Sequence, residues 1–143
     1  MDTKIYINWN DFHKDVKTLV DKIKASQNVF TKIVAVSRGG LIPAGIIAYE
    51  LDIRSCDLIN MSSYDGDNQR NDSEIELDSH LSELGSDSLI IDDLADSGRT
   101  FRMLREKFPL AKFACVYTKP KGSDSADYSA VPLPDNWVVF PWD

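Results

Sequence analysis

Apolar residues fall along this chain in two recurring patterns. Short continuous runs rich in β-branched residues alternate with longer stretches spaced as one helix face. Residues 32–36 (KIVAV), 55–61 (SCDLINM), 89–91 (LII) and 112–118 (KFACVYT) are the continuous runs. Strands buried on both faces read this way. Residues 5–9 (IYINW) alternate instead and suggest an edge strand. Phe12, Val16, Leu19, Val20 and Ile23 follow helical spacing, with Asn10 or Asp11 as cap and Gln27 and Asn28 at the end. Residues 41–51 predict a second helix, with Pro43 in its first turn. Phe101, Leu104 and Phe108 predict a third, begun after Thr100 and ended before Pro109. Strands alternating with helices imply an α/β fold, a mainly parallel sheet flanked by helices.

Two stretches break the pattern. Residues 62–73 (SSYDGDNQRNDS) hold no apolar group except the Tyr64 ring and read as a mobile loop. Residues 74–77 return as a short strand, and residues 79–88 stay unassigned, with a turn at Gly85. The tail, residues 119–143, holds four of the six prolines and reads as a small irregular cap over the C-terminal edge of the sheet. No repeat or linker divides the 143 residues, so a single domain is expected.

Candidate chemistry sits where strands give way to helices. Residues 89–100 read LIIDDLADSGRT: an apolar run, three acids, then small and hydroxylated residues opening a helix. Such a turn offers free backbone N–H groups and the positive end of a helix dipole to a phosphate. Acids just upstream suit a metal ion or sugar hydroxyls. A second strand–turn–helix unit carries Ser37, Arg38, Gly39 and Gly40. Paired glycines let backbone approach a ligand closely, and Arg38 adds a cation.

Composition narrows the possibilities. Hydrophobic residues make up 43% and charged residues 27%, ordinary values for a globular protein. Sixteen Lys and Arg against 23 Asp and Glu give a net charge of −7, which argues against a nucleic-acid partner. No apolar run is long enough for a stable membrane insertion. The N-terminal MDTKIYINWND has no signal-peptide core, which points to the cytoplasm. Cys56 and Cys115 lie in apolar, strand-like contexts and read as buried free thiols.

The string IIDDLADSGRT resembles the PRPP (phosphoribosyl pyrophosphate) motif of the type I phosphoribosyltransferases. SRGG resembles that family's pyrophosphate loop. SSYDGDNQR, TKPKG and DNWVVFPWD are similar to segments of its bacterial xanthine-guanine (6-oxopurine) branch. The resemblance covers nearly the whole chain. It implies the type I phosphoribosyltransferase fold with a small irregular hood at residues 119–143 and a mobile loop at residues 62–78 closing on the reacting sugar. It further implies phosphoribosyl transfer from PRPP to N9 of guanine, xanthine or hypoxanthine, with Mg2+ as cofactor, in a homodimer or homotetramer.

Matching residues implies the roles. Ser97, Gly98, Arg99 and Thr100, with Ala95 and Asp96 before them, should hold the 5′-phosphate. Asp92 and Asp93 should meet the ribose hydroxyls and magnesium, with Asp93 the metal ligand. Ser37, Arg38 and Gly39 should meet pyrophosphate, joined by Arg70 of the loop. Asp96 should act as general acid/base at purine N7. Lys119 should donate to the purine 6-oxygen and Trp137 should stack on the base. Backbone carbonyls near Val138 and Asp143 should accept from a 2-amino group, and Asp143 could help a second magnesium. Read without the resemblance, Lys119 is a solvated strand-end lysine and Trp137 a core tryptophan.

Two departures stand out. Arg99 replaces a glycine of the xanthine-guanine enzymes, as a basic residue does in related hypoxanthine enzymes, and the sequence stops at Pro-Trp-Asp where those enzymes continue. Two other readings compete: a PRPP-sensing regulator of the same fold and a receiver-like signalling domain. The first would need a basic DNA-binding segment. The second would need neither SRGG nor a stacking Trp.

Overall fold

The computed structural model describes residues 3–61 and 84–143. Its elements run β1 (Ile5–Tyr6), α1 (Trp9–Ala25), β2 (Lys32–Ser37), α2 (Leu41–Glu50), β3 (Ser55–Asn60), β4 (Ser88–Ala95), α3 (Arg99–Lys107), β5 (Lys112–Thr118), a 3-10 turn (Pro120–Gly122), β6 (Tyr128–Pro132) and β7 (Val138–Val139). The mobile-loop reading of residues 62–78, with Arg70 in it, lies outside the described residues, as do the strand at residues 74–77 and residues 79–83.

The continuous apolar runs become four strands of a parallel five-stranded sheet, ordered β3-β2-β4-β5-β6, with β2, β4 and β5 at its centre and β3 at its edge. Alternation along each strand divides the core in two. Ile33, Ala35, Leu89, Ile91, Ala114 and Val116 face α1 and α2. Val34, Val36, Ile90, Phe113 and Cys115 face α3. This is the layered arrangement that two-sided strands require. Phe12, Val16, Leu19, Val20 and Ile23 are all buried, as their spacing predicts. Phe12 is fully buried, and burying such a ring contributes about 1.5–3 kcal/mol.

Some boundaries differ from the sequence reading. Helix α1 begins at Trp9, not after Asn10 or Asp11, because Asn8 Oδ1 accepts the Asp11 N–H at 2.8 Å. The predicted edge strand therefore shrinks to Ile5–Tyr6, which pairs in parallel with β7 in a separate two-stranded sheet. Cys56 is exposed rather than buried, because β3 is the outer strand of the main sheet; Cys115 is buried, and both thiols are free. The tail is more ordered than its prolines suggest, since residues 128–132 join the main sheet beside β5. Among the described residues, no helix is long and apolar enough to cross a membrane.

Candidate active site

The chain runs from β2 outward to β3, then returns to β4 on the other side of β2 and continues away from it. The strand order therefore reverses between β2 and β4. Open α/β sheets bind ligands at such a reversal, beyond the carboxyl ends of the strands. The two strands separate there: β2 pairs with β4 only as far as Ala35 opposite Ile91. Strand β4 continues along β5 to Ala95 opposite Thr118. Asp92, Asp93 and Leu94 thus lie within the strand rather than beyond it, past the point where β2 lets go.

The turn after β2 fills the opened edge. Gly40 packs on the Ile91 carbonyl, and a Cβ there would overlap it. Gly39 packs on the Asp93 carboxylate in the same way. The Ser37–Arg38 peptide bond is cis, and Arg38 is exposed. Arg38, Gly39, Leu41, Ile42, Asp93, Phe140, Trp142 and Asp143 line one cavity of about 750 Å³, within the range of small-molecule sites. Ser37 ends β2 next to Arg38 and is not among the residues lining this cavity.

A smaller cavity of about 90 Å³ lies on the other face of β4, lined by Asp92 and residues 94–101. It is the phosphate turn of the sequence reading. Gly98 caps α3 with φ 86°, a left-handed conformation that favours glycine. Having no side chain, Gly98 gives the helix no side-chain cap. The Arg99 N–H bonds Ser97 Oγ at 3.2 Å. First-turn amides of a helix without such a cap suit an anion. Thr100 lies in the same first turn.

Consecutive strand residues face opposite ways, so the two acids of the motif line different cavities. The Asp92 carboxylate also accepts the Asp93 N–H at 2.8 Å. Burial, then the neighbouring Asp93 charge, holds Asp92 well above the ordinary carboxylate range. Burial raises Asp93 too, and Asp143 across the cavity adds to the repulsion. A cation placed among these groups would relieve it.

The segment after β5 closes over the end of β4. The Lys119 N–H donates to the Ala95 carbonyl at 3.0 Å, and Gly122 packs on the Ala95 and Asp96 carbonyls with no room for a Cβ. The Lys119 side chain is only 6% exposed, and its Nζ lies 3.5 Å from Asp96 Oδ2; Asp96 itself is 65% exposed. Lys119 is therefore not a solvated strand-end residue.

Over residues 2–143 the sequence matches the model of the phosphoribosyl transferase domain. The chain belongs to the phosphoribosyltransferase family. It is 40% identical to the xanthine-guanine phosphoribosyltransferase of Idiomarina loihiensis over 98% of this chain and 87% of that one. It is 37% identical to the enzyme of the same name from Cereibacter sphaeroides, over 96% of this chain and 86% of that one. The crystal structure of a purine phosphoribosyltransferase from Pyrococcus horikoshii superposes with a TM-score of 0.77 at 28% identity, over 98% of this chain and 94% of that one.

In this phosphoribosyltransferase, β4 brings together the turn at residues 97–100, Asp92, Asp93 and, through the glycine turn, Arg38. Trp137 stands apart. It lines neither cavity and is 68% exposed, so it is not a core tryptophan. Its carbonyl and that of Val139 accept from Ile5 and Ile7. Carbonyls alternate along a strand, which turns the Val138 carbonyl away from β1. The Asp143 carboxylate accepts the Phe140 N–H at 2.8 Å, folding the tail's end back to the cavity. The sequence reading missed Leu41, Ile42, Phe140 and Trp142 as lining residues. The last two lay inside the quoted DNWVVFPWD. Their signal was the aromatic spacing: Phe140 and Trp142 stack at 4.7 Å, and Trp142 meets Phe12 edge-on at 5.0 Å.

Proposed function

We propose that this phosphoribosyltransferase transfers the phosphoribosyl group of PRPP to N9 of a 6-oxopurine, releasing pyrophosphate. The observation that carries the reading is the Lys119–Asp96 pair beside the phosphate turn. A 6-oxopurine presents N7 and O6 side by side on one edge. A lysine beside an aspartate matches that edge. Lys119 donates to O6, while Asp96 holds the proton at N7 as general acid/base. Adenine carries an amino donor in place of O6, which a lysine cannot satisfy.

The amides and hydroxyls of residues 97–100 hold the 5′-phosphate, and Asp92 and Asp93 hold the ribose hydroxyls. Ser37, Arg38 and Gly39 receive the pyrophosphate. Arg70 is assigned to pyrophosphate by resemblance alone. Trp137, outside both cavities, is assigned to cover the base by resemblance alone, as are the carbonyls of Val138 and Asp143 to accept from a 2-amino group. The sugar passes through an oxocarbenium-like state, so catalysis rests on positioning and on neutralising the leaving group.

Partly buried Asp93, facing Asp143 across the larger cavity, supports a divalent cation at Asp93. Mg2+ needs only one or two carboxylates beside waters and substrate oxygens. When bound, it supplies charge that stabilises the departing pyrophosphate. The exposed Leu41, Tyr49 and Leu58 around α2 and β3 are consistent with a homo-oligomer.

The deciding experiment measures pyrophosphate release from PRPP and Mg2+ with guanine, xanthine, hypoxanthine and adenine in parallel. Release is expected with 6-oxopurines and not with adenine. Equal release with adenine would remove Lys119 from its role, and no release with any base would overturn the reaction.

A further inference from the structure

Arg102 lies on α3, outside both cavities, yet its guanidinium touches the two segments that flank them. Nη1 donates to the Ser97 carbonyl in the phosphate turn at 2.8 Å. Nη2 donates to the Lys121 carbonyl at 3.1 Å and to the Asp124 carboxylate at 2.5 Å, both in the segment that begins with Lys119. The guanidinium lies over Gly98, where a Cβ would sit 2.8 Å from Nη1. Gly98 thus provides both the left-handed turn and the space for a planar fork.

We propose that Arg102 is a positioning residue that keeps the phosphate turn in register with the purine-binding lysine segment. The inference rests on the phosphoribosyl-transfer reading. A nucleoside monophosphate spans both segments: its phosphate sits in the turn and its base meets Lys119 and Asp96. The spacing between turn and segment therefore governs whether one ligand satisfies both. Two carbonyls bridged by one rigid guanidinium fix that spacing; a lysine ammonium, a point donor on a flexible stem, holds it far less firmly. The Arg102–Asp124 ion pair is half-exposed on one side and largely exposed on the other, and such pairs add little by themselves. The carbonyl bridge is the part that carries the effect.

The test compares Arg102→Met, Arg102→Lys and Asp124→Asn with the unmodified protein. Each is titrated with guanosine 5′-monophosphate and with guanosine, assayed for kcat and KM, and melted thermally. Arg102→Met is expected to weaken the monophosphate about 10-fold and lower kcat/KM for PRPP by about 10- to 100-fold. Guanosine, which does not use the turn, should change by less than about twofold. Arg102→Lys should stay near Arg102→Met, and Asp124→Asn within about twofold of the parent. Full rescue by lysine would mean that charge alone matters and would overturn the inference. So would equal weakening of nucleoside and monophosphate with a lowered melting temperature, or unchanged monophosphate binding in Arg102→Met. Failure of the unmodified protein to bind the monophosphate would instead overturn the phosphoribosyl-transfer reading itself.

Discussion

Gly39 lies directly against the Asp93 carboxylate, with no room between them for a side chain. The contact joins the turn after β2 to the C-terminal part of β4, and both residues line the larger cavity. An alanine at position 39 must push Asp93 or the Arg38 turn aside. Gly39→Ala should lower kcat/KM for PRPP by about 10- to 100-fold, since small displacements at a reacting centre cost that much. Steady-state kinetics with PRPP varied at saturating guanine checks this. Unchanged kinetics would show that the turn yields without consequence.

Lys119 and Asp96 make separable predictions. Lys119→Met removes the donor proposed for O6 while leaving Asp96 exposed to water, so the protein should still fold. Preference for hypoxanthine over adenine should fall by about 10-fold or more, the scale of one base-edge contact. Asp96→Asn should lower turnover by about 10²- to 10⁴-fold while PRPP binding survives. Turnover and PRPP titration on the same preparation separate the two; equal losses would take Asp96 out of proton transfer.

Trp137 is a clean test because it is 68% exposed. Trp137→Ala should change stability by no more than about 0.5 kcal/mol, as for most surface substitutions. The KM for purine should rise more than that for PRPP if the ring covers the base. Denaturant titration and paired KM measurements check both halves. A large loss of stability with unchanged purine KM would leave Trp137 with a packing role alone.

The two cysteines should differ sharply. Cys56 is exposed and Cys115 buried, so a thiol reagent should label only Cys56 in the native protein and both after denaturation. Burial, with Asp92 adding repulsion, pushes the Cys115 thiol from 9.0 up to about 12. The folded thiol keeps its proton where the unfolded thiol has lost it. Its contribution to stability is therefore intact below about pH 9 and declines as pH rises toward 12. Tyr117 is pushed upward by burial and Asp15 and acts in the same direction. Cys115→Ala should flatten the fall in melting temperature across this range relative to the parent. An equally steep fall would assign the alkaline loss to other groups.

Much of this fold was legible in the chain because its signals are local. Residues 32–36 and 112–118 announce two-sided strands by unbroken apolarity, and the α1 face repeats every three or four residues. The turn at the end of β4 was legible for the same reason: strand, acids, glycine and helix start lie within twelve consecutive residues, 89–100. Tertiary structure decided what depends on distant partners. The pairing of β1 with β7 and the addition of residues 128–132 to the sheet join segments far apart in sequence. Strand order left Cys56 on an outer edge. The closeness of Gly39 to Asp93, of Arg102 to both Ser97 and Lys121, and of Trp142 to Phe12 likewise came only from packing. Periodicity reports which face of an element is apolar; it carries no record of which other element that face will meet.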